Sequence, residues 1–290
     1  MANQFINLLG KDYNDPTTFG VKAIDDKFAI GIASVVTKEH KRHNWANNED
    51  ATGIWTNGDV TIAMVADAHW GYVASQEAVL RFPNVFQKKY VELAGKDVRQ
   101  VYLEAILDLC DNELLDLGKR SGVSYGLNFM QQEQFDSSNS QFYSVIKIDG
   151  KHYFVGLGDC LCAIVGADSL TNVESQNIAY GEVGGLSPRN YMRMSRNEGG
   201  LAKDANIHFD DPLVRKGVDV KELNVNPGDT IFMCTDGYTL DNPARGFTLS
   251  QAFYKKTAKQ GIDLIMEEII KKIPVTVIIL QFVLLKYNKK

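Results

Sequence analysis

Short runs of β-branched and aromatic residues recur along most of the chain and predict a protein built mainly on β-strands. Nearly all of these runs are apolar at consecutive positions, which is typical of strands that are covered on both faces. The segment Ile148-Asp149-Gly150-Lys151 has the composition of a tight hairpin turn and indicates antiparallel pairing. The predicted strands are Phe28–Val36, Val60–Ala66, Phe142–Ile148, Tyr153–Leu157, Leu161–Val165, Thr230–Cys234 and Val275–Leu285.

Helical spacing of apolar residues predicts three helical regions between these strands. The clearest spans residues 97–119. An earlier helix has Ser75 as its predicted N-cap, and Pro83 should kink or end it. The third region lies after Ser250; we expect it to break near Gly261 and to resume over Ile262–Lys272.

Strands covered on both faces, with helices between them, favour an α+β fold in which two sheets pack against each other. We predict a four-layer α-β-β-α sandwich with two central antiparallel sheets. Because no linker or repeat divides the chain, residues 1–290 are predicted to form a single domain. Residues 166–221 are rich in Gly, Ser and Asn and predict a flap or insertion on that domain.

Composition and charge narrow the classes of partner. The chain has 290 residues, is 44% hydrophobic and carries a formal charge of -5, which gives no general attraction to nucleic acid. The longest apolar stretch, 275–285, is shorter than the roughly 20 residues of a membrane span. With no secretory signal visible, we expect a cytoplasmic monomer. Four cysteines without zinc-binding spacing predict buried reduced thiols: Cys110, Cys160, Cys162 and Cys234.

Acidic residues stand where three predicted strands end, at Asp67, Asp159 and Asp236. Neighbouring strand ends can bring such carboxylates together, where they repel one another unless a cation neutralises them. Clusters of oxygen ligands suit magnesium or manganese rather than zinc. Taken singly, Gly158-Asp159 and Asp236-Gly237 are more often turn dipeptides than ligands, and the recurrence of the pattern favours a cation site.

The order of four motifs resembles the metal-dependent Ser/Thr protein phosphatases of type 2C, in a divergent, bacterial-like form. The motifs are Asn47-Asn48-Glu49-Asp50, Val65-Ala66-Asp67-Ala68-His69-Trp70-Gly71, Gly158-Asp159 and Thr235-Asp236-Gly237. No single motif is specific, but the four in sequence are. The resemblance implies two core manganese or magnesium ions between the two sheets and a third ion held more weakly.

The resemblance also implies a role for each matching residue. Asp67 would bridge the two core metals, and His69 would protonate the leaving alkoxide as a general acid. The other implied metal ligands are Glu49, the carbonyl oxygen of Ala68, Asp236 and, for the third ion, Asp159. The implied substrates are phosphoserine and phosphothreonine in proteins, placed there by a Ser/Thr kinase, with water activated by two metals as the nucleophile.

Two positions depart from the family pattern. Ile273 stands where an Asp is expected before the last strand, and Trp45 stands where an Arg should clamp the substrate phosphate. An indole cannot replace a bidentate guanidinium, so another arginine is needed. The candidates for that role are Arg42, Arg189 and Arg193.

These departures leave two hypotheses for the function. The first is an active, metal-dependent phosphatase with a weakened first-metal site. The second is a pseudophosphatase that binds phosphoproteins or regulates a partner without turnover. The presence of all five matching residues favours the active enzyme: Glu49, Asp67, His69, Asp159 and Asp236.

Overall fold

A computed structural model describes the fold of most of the chain. The described residues are 3–13, 19–33, 48–68, 73–109, 140–157, 160–173, 220–235, 252–253, 255–272 and 280–286. Their strands are β1 Gln4–Leu9, β2 Phe19–Ile24, β3 Phe28–Ala33, β4 Ala51–Thr56, β5 Thr61–Ala68, β6 Ser140–Ile148, β7 Lys151–Leu157, β8 Leu161–Val165, β9 Leu170–Asn172, β10 Lys221–Leu223, β11 Thr230–Cys234 and β12 Leu280–Lys286. Their helices are α1 Val73–Glu92, α2 Val98–Asp108 and α3 Ala258–Lys272.

The strands form two antiparallel sheets of six strands each. Sheet A has the order β1-β4-β5-β6-β7-β10, and sheet B has the order β2-β3-β12-β11-β8-β9. The predicted hairpin joins β6 to β7, where Ile148 pairs with Lys151. Asp149 and Gly150 adopt positive φ angles of 50° and 75° in that turn, as a two-residue hairpin connection requires. The prediction of an α+β fold with antiparallel sheets is confirmed.

Apolar side chains form three clusters that tie the elements together. One cluster packs α1 and α2 on sheet A and includes Phe82 and Phe142. A second lies between the sheets and includes Ile32 of sheet B and Tyr143 of sheet A. The third packs α3 on sheet B and includes Ile262. The consecutive apolar positions of the strands are therefore explained by burial on both faces.

Two details of the predicted helices are wrong. Ser75 is not an N-cap, because α1 begins at Val73 and Ser75 lies within its first turn. The third helical region does break, but at 255–257 between helical residues 252–253 and α3 rather than at Gly261, because α3 runs from Ala258 to Lys272 without interruption. A Cβ atom on Gly261 would overlap the ring of Phe253, so the glycine permits close packing.

Pro83 lies inside α1 and does not end it. Phe82 and Phe86, on either side of the proline, are buried in the cluster on sheet A. That burial outweighs the loss of one backbone hydrogen bond, so the helix continues to Glu92. In α2, the Asp97 carboxylate accepts a hydrogen bond from the backbone N–H of Arg99 and caps the helix.

The described residues bear on three further predictions, which concern the cysteines, the flap at 166–221 and membrane-spanning segments. Cys160, Cys162 and Cys234 are buried as predicted, and none of them is in a disulfide within the described part of the chain, whereas Cys110 lies outside it. Of the predicted flap, the described start contains β9, which pairs with β8, and residues 174–219 lie outside the described part. No described helix is both long and apolar enough to span a membrane.

Candidate functional site

A row of paired residues crosses sheet A next to the acidic motifs. It lies along the side of the sheet that is formed by strand ends, which we call the acidic edge. Ala66 of β5 pairs with Ala51 of β4 and with Phe142 of β6. Phe142 in turn pairs with Leu157 of β7. Three motifs directly adjoin this row: Glu49-Asp50 ahead of β4, Asp67 next along β5, and Gly158-Asp159 after β7. The strand register thus places residues that belong to or adjoin three motifs at one edge of the sheet.

Two of the acidic residues at this edge belong to the inner face of sheet A. Asp67 follows Ala63 and Val65 at alternate positions of β5, and both of these residues belong to the cluster between the sheets. Asp50 and Asp67 are only 3% and 5% exposed. Two carboxylates withdrawn from water at neighbouring strand ends are costly unless partners or a cation compensate their charge.

The fourth motif reaches the same place from sheet B. Thr235 directly follows β11, and its hydroxyl Oγ1 donates a hydrogen bond of 2.9 Å to Oδ2 of Asp50. Thr235 is 1% exposed, so the bond is shielded from water. Thr235 is the first residue of the fourth motif and immediately precedes Asp236. This contact therefore places the start of that motif at the edge that holds Asp50 and Asp67.

The segment Asn48-Glu49-Asp50 is held in place by a set of hydrogen bonds. The backbone N–H of Asp50 donates to Oδ1 of Asn48 at 3.1 Å, which forms a turn within the segment. The N–H of Gly10 donates to the carbonyl of Asp50 at 2.9 Å. The Ser75 hydroxyl in α1 donates to the carbonyl of Glu49. Contacts from β1 and α1 therefore fix the backbone that carries the half-buried Glu49 side chain.

The donor chemistry of this edge fits a hard divalent cation. Glu49, Asp50 and Asp67 offer carboxylate oxygens, and the backbone of Ala68 continues β5 opposite Ser140. Among the residues that the structure describes, no group of three acidic, His or Cys side chains is close enough to hold a metal by itself. A complete site of this kind needs ligands from the motifs that continue beyond the described strands.

Comparison with known proteins bears on the fold. No family model matches the chain, and no curated protein matches it in sequence. Several solved structures do match. The serine/threonine phosphatase PstP/Ppp of Mycobacterium tuberculosis is 12% identical, with 93% of this chain and 99% of that chain covered and a TM-score of 0.56. The PPM Ser-Thr phosphatase MsPP of Mycobacterium smegmatis, solved with cacodylate, is 14% identical, with 92% and 100% covered and a TM-score of 0.53.

A third match is the catalytic domain of PstP with two manganese ions, which is 12% identical, with 93% of this chain and 100% of that chain covered and a TM-score of 0.52. The chain has the fold of the PPM Ser/Thr phosphatases. The family resemblance inferred from motif order is thus supported independently by the three-dimensional fold. In this fold, the acidic edge described above lies where β4 begins and where β5 and β11 end.

Several predicted site residues fall outside the described part of the phosphatase fold, and their positions remain predictions. They are His69, Asp159, Asp236, Arg42, Arg189 and Arg193, together with the two departures Trp45 and Ile273. Residues 273–286 contain no Asp or Glu, so this stretch supplies no carboxylate to a metal in any alignment.

The structure also brings into the site residues that sequence reasoning missed. Gln141 lies directly opposite Asp67 in the ladder between β6 and β5 and is buried. It shares its face with Tyr143, a member of the cluster between the sheets. Gly10 also belongs to this group, and so does the role of Thr235, a residue of the fourth motif to which the sequence assigned no function. A buried polar residue at the end of an otherwise apolar run was the available signal for Gln141 and Thr235.

Proposed function

We propose that the protein hydrolyses phosphoserine and phosphothreonine in proteins by metal-dependent attack of water. The observation that carries the proposal is the meeting of Glu49-Asp50, Asp67 and Thr235 at one end of the two sheets. Its support comes from the motif order and from a fold shared with Ser/Thr phosphatases. We further propose that the layers form the four-layer α-β-β-α sandwich, as a single domain with a flap at 166–221.

In this proposal the chain's own residues hold two core manganese or magnesium ions. Asp67 would contact both, Glu49 and the carbonyl of Ala68 would hold the second, and Asp236 would hold the first, with Asp159 contributing to a weaker third site. When bound, such ions activate a water molecule and offset the charge on the phosphate oxygens. The buried inner face beneath Asp67 excludes bulk water, which strengthens each charge interaction at the site.

The substrate side of the proposal relies on His69 and on arginines. His69 immediately follows the last residue of β5 and is proposed to donate a proton to the departing Ser or Thr alkoxide. Arg42, Arg189 or Arg193 is proposed to bind the phosphate in place of the arginine missing at Trp45. The partners are then phosphoprotein substrates of a Ser/Thr kinase, met by a monomer in the cytoplasm.

A second candidate function is a pseudophosphatase that binds phosphoproteins without turnover. The absence of any carboxylate from residue 273 to 286 favours it, because the first metal then lacks a ligand expected from that segment. Under the active hypothesis, water fills the vacancy and the first metal binds weakly. Ile273→Asp tests this point, since a restored carboxylate should lower the manganese concentration that gives half-maximal activity.

The deciding experiment measures hydrolysis of an aryl phosphate and of a phosphothreonine peptide, with manganese titrated into the millimolar range. We expect both substrates to be hydrolysed, and we expect EDTA to abolish this hydrolysis. Asp67→Asn should remove the activity more completely than Asp159→Asn, because only Asp67 is proposed to contact both core ions. Asp59→Asn, at an exposed loop position, serves as the matched control. A folded wild-type protein that hydrolyses neither substrate would refute the enzyme and favour the pseudophosphatase.

A further inference from the structure

We infer that Thr235 is a positioning residue, whose hydroxyl links the two sheets and sets Glu49-Asp50 relative to the strand that leads to Asp236. The inference rests on the proposed function, because it concerns the geometry of that metal site. It assigns Thr235 no direct contact with a metal or substrate.

The link joins parts of the molecule that the local chain does not connect. Asp50 precedes β4 in sheet A, whereas Thr235 follows β11 in sheet B, and the two residues are 185 positions apart. Their side chains meet at 2.9 Å in a place where both are almost completely buried. A buried hydrogen bond to a carboxylate has a defined geometry and is stronger than one between neutral groups. It therefore resists sliding of one sheet edge past the other.

Other contacts of the segment act mainly on its backbone. Gly10 and Ser75 hold backbone carbonyls of Asp50 and Glu49, and Asn48 holds the Asp50 N–H. A longer contact of 3.5 Å also reaches sheet B, where Nδ2 of Asn48 donates to the carbonyl of Ala33 in β3. Thr235 instead holds the Asp50 side chain, and it does so from sheet B. Its removal should leave the segment folded but loosen the two sheet edges relative to each other.

Loss of a direct partner of a metal ligand typically weakens metal binding by 10–100-fold, and Thr235 acts one residue further out, because Asp50 adjoins the proposed ligand Glu49. We therefore expect Thr235→Val, which has the same shape without the hydroxyl, to weaken manganese binding about 10-fold in calorimetric titration. Thr235→Ser keeps the hydroxyl and should stay within about threefold of wild type. Thr56→Val is the matched control, because Thr56 has a buried hydroxyl that donates to the carbonyl of Val60 at 3.0 Å at the far end of β4.

A double-mutant cycle with Asp50→Ala, which removes the oxygen that accepts from Thr235, tests whether Thr235 acts through Asp50. If it does, Thr235→Val should have little further effect on manganese affinity in the Asp50→Ala background. Thermal unfolding of every variant without metal shows whether each one folds. Thr56→Val should unfold at a lower temperature than wild type and bind manganese equally well.

The outcomes separate this inference from the proposed function. Equal manganese affinity in wild type and Thr235→Val would overturn the positioning role while leaving the phosphatase proposal in place. An equal loss in Thr56→Val would also overturn it, because the effect would then be general destabilisation. A folded wild-type protein that binds no manganese would overturn the proposed function, and the positioning role with it.

Discussion

A Cβ atom on Gly10 would overlap the backbone carbonyl oxygen of Asn48. The same glycine donates its N–H to the carbonyl of Asp50, so its backbone lies directly against the acidic segment. Only glycine permits so close an approach of two backbones. The position of the acidic edge therefore depends on a residue in the turn after β1, which is distant from all four motifs in sequence.

Gly10→Ala should consequently destabilise the protein by about 1–3 kcal/mol, the usual cost of overpacking. It should also weaken manganese binding, because the displaced backbone carries Glu49. Gly95→Ala is the control: Gly95 has a positive φ of 85° and open space around it, so its replacement has a backbone cost alone. Urea denaturation and calorimetric titration measure the two effects. If Gly10→Ala is destabilised but binds manganese as tightly as wild type, the turn after β1 does not control the geometry of the metal site.

Manganese should raise the thermal stability of the wild-type protein. Ligand that binds only the folded state stabilises it by about 2.7 kcal/mol at one hundred times the dissociation constant. Asp67→Asn should lose this shift, because a neutral amide neither offsets nor attracts the cation as a carboxylate does. Asp168→Asn, at an exposed turn position, should keep it. If manganese raised the thermal stability of Asp67→Asn by a similar amount, the metal would not bind at the end of β5.

His152 should make the fold sensitive to acid. Burial, with a smaller contribution from nearby Lys147, lowers the pKa of His152 from 6.5 to about 4. Above pH 6.5 the imidazole is neutral in both states, and its contribution to stability is fully present. As the pH falls from about 6.5 to 4, the unfolded chain takes up a proton that the folded chain does not, so stability declines by about 3 kcal/mol.

Replacement of His152 by Gln should remove this part of the pH dependence. Urea denaturation at pH 7.5 and pH 4.5 compares the variant with wild type, and the difference between their losses isolates the histidine from titrating carboxylates. A His152→Gln protein that loses as much stability as wild type would show that another group controls the acid response.

Gly261→Ala should reverse the usual effect of a glycine replacement in a helix. Alanine ordinarily stabilises a helix interior by up to about 1 kcal/mol relative to glycine. Here the new methyl group would overlap the ring of Phe253, so we expect a net loss of stability. Adding Phe253→Leu should recover part of that loss, because the smaller side chain removes the overlap. A more stable Gly261→Ala single variant would contradict the close packing.

His69→Gln should slow hydrolysis of a phosphothreonine peptide far more than hydrolysis of an aryl phosphate. A phenolate leaves without protonation, whereas an alkoxide benefits from a general acid by about 10²–10⁴-fold. Rates on the two substrates, measured at saturating manganese, give the comparison. An identical loss on both substrates would favour a structural role for His69.

Much of the sheet framework follows from local sequence, and its omissions have a physical pattern. Leu161–Val165 and Thr230–Cys234 are strands with the predicted bounds, because both are continuous apolar runs. β1 and β4 were not predicted, since Asn7 and Gly53 interrupt their apolar pattern. β4 is nevertheless entirely buried between β1, β5 and α1. Its conformation is set by these tertiary partners rather than by its own propensity.

The candidate site shows a similar division. Motif order identified Glu49 and Asp67, and the register of sheet A places their segments at one edge. The contact between Thr235 and Asp50 was not predictable, because it depends on how two separate sheets pack. The role of Gly261 was misjudged for the same reason, since a helix-breaking signal in sequence proved to be space for Phe253.

The position of β12 has a consequence for how the protein is made. β12 lies between β3 and β11 in the middle of sheet B, so Ala33 finds its partner Leu280 only after some 250 further residues have been synthesised, roughly the difference between the two positions. Until then a nascent chain on the ribosome carries two unpaired strand edges, which are sites for pairing with neighbouring nascent chains. Yield in cells should therefore depend on translation speed and chaperone supply, and a premature stop before residue 280 should direct the product to aggregation or proteolysis.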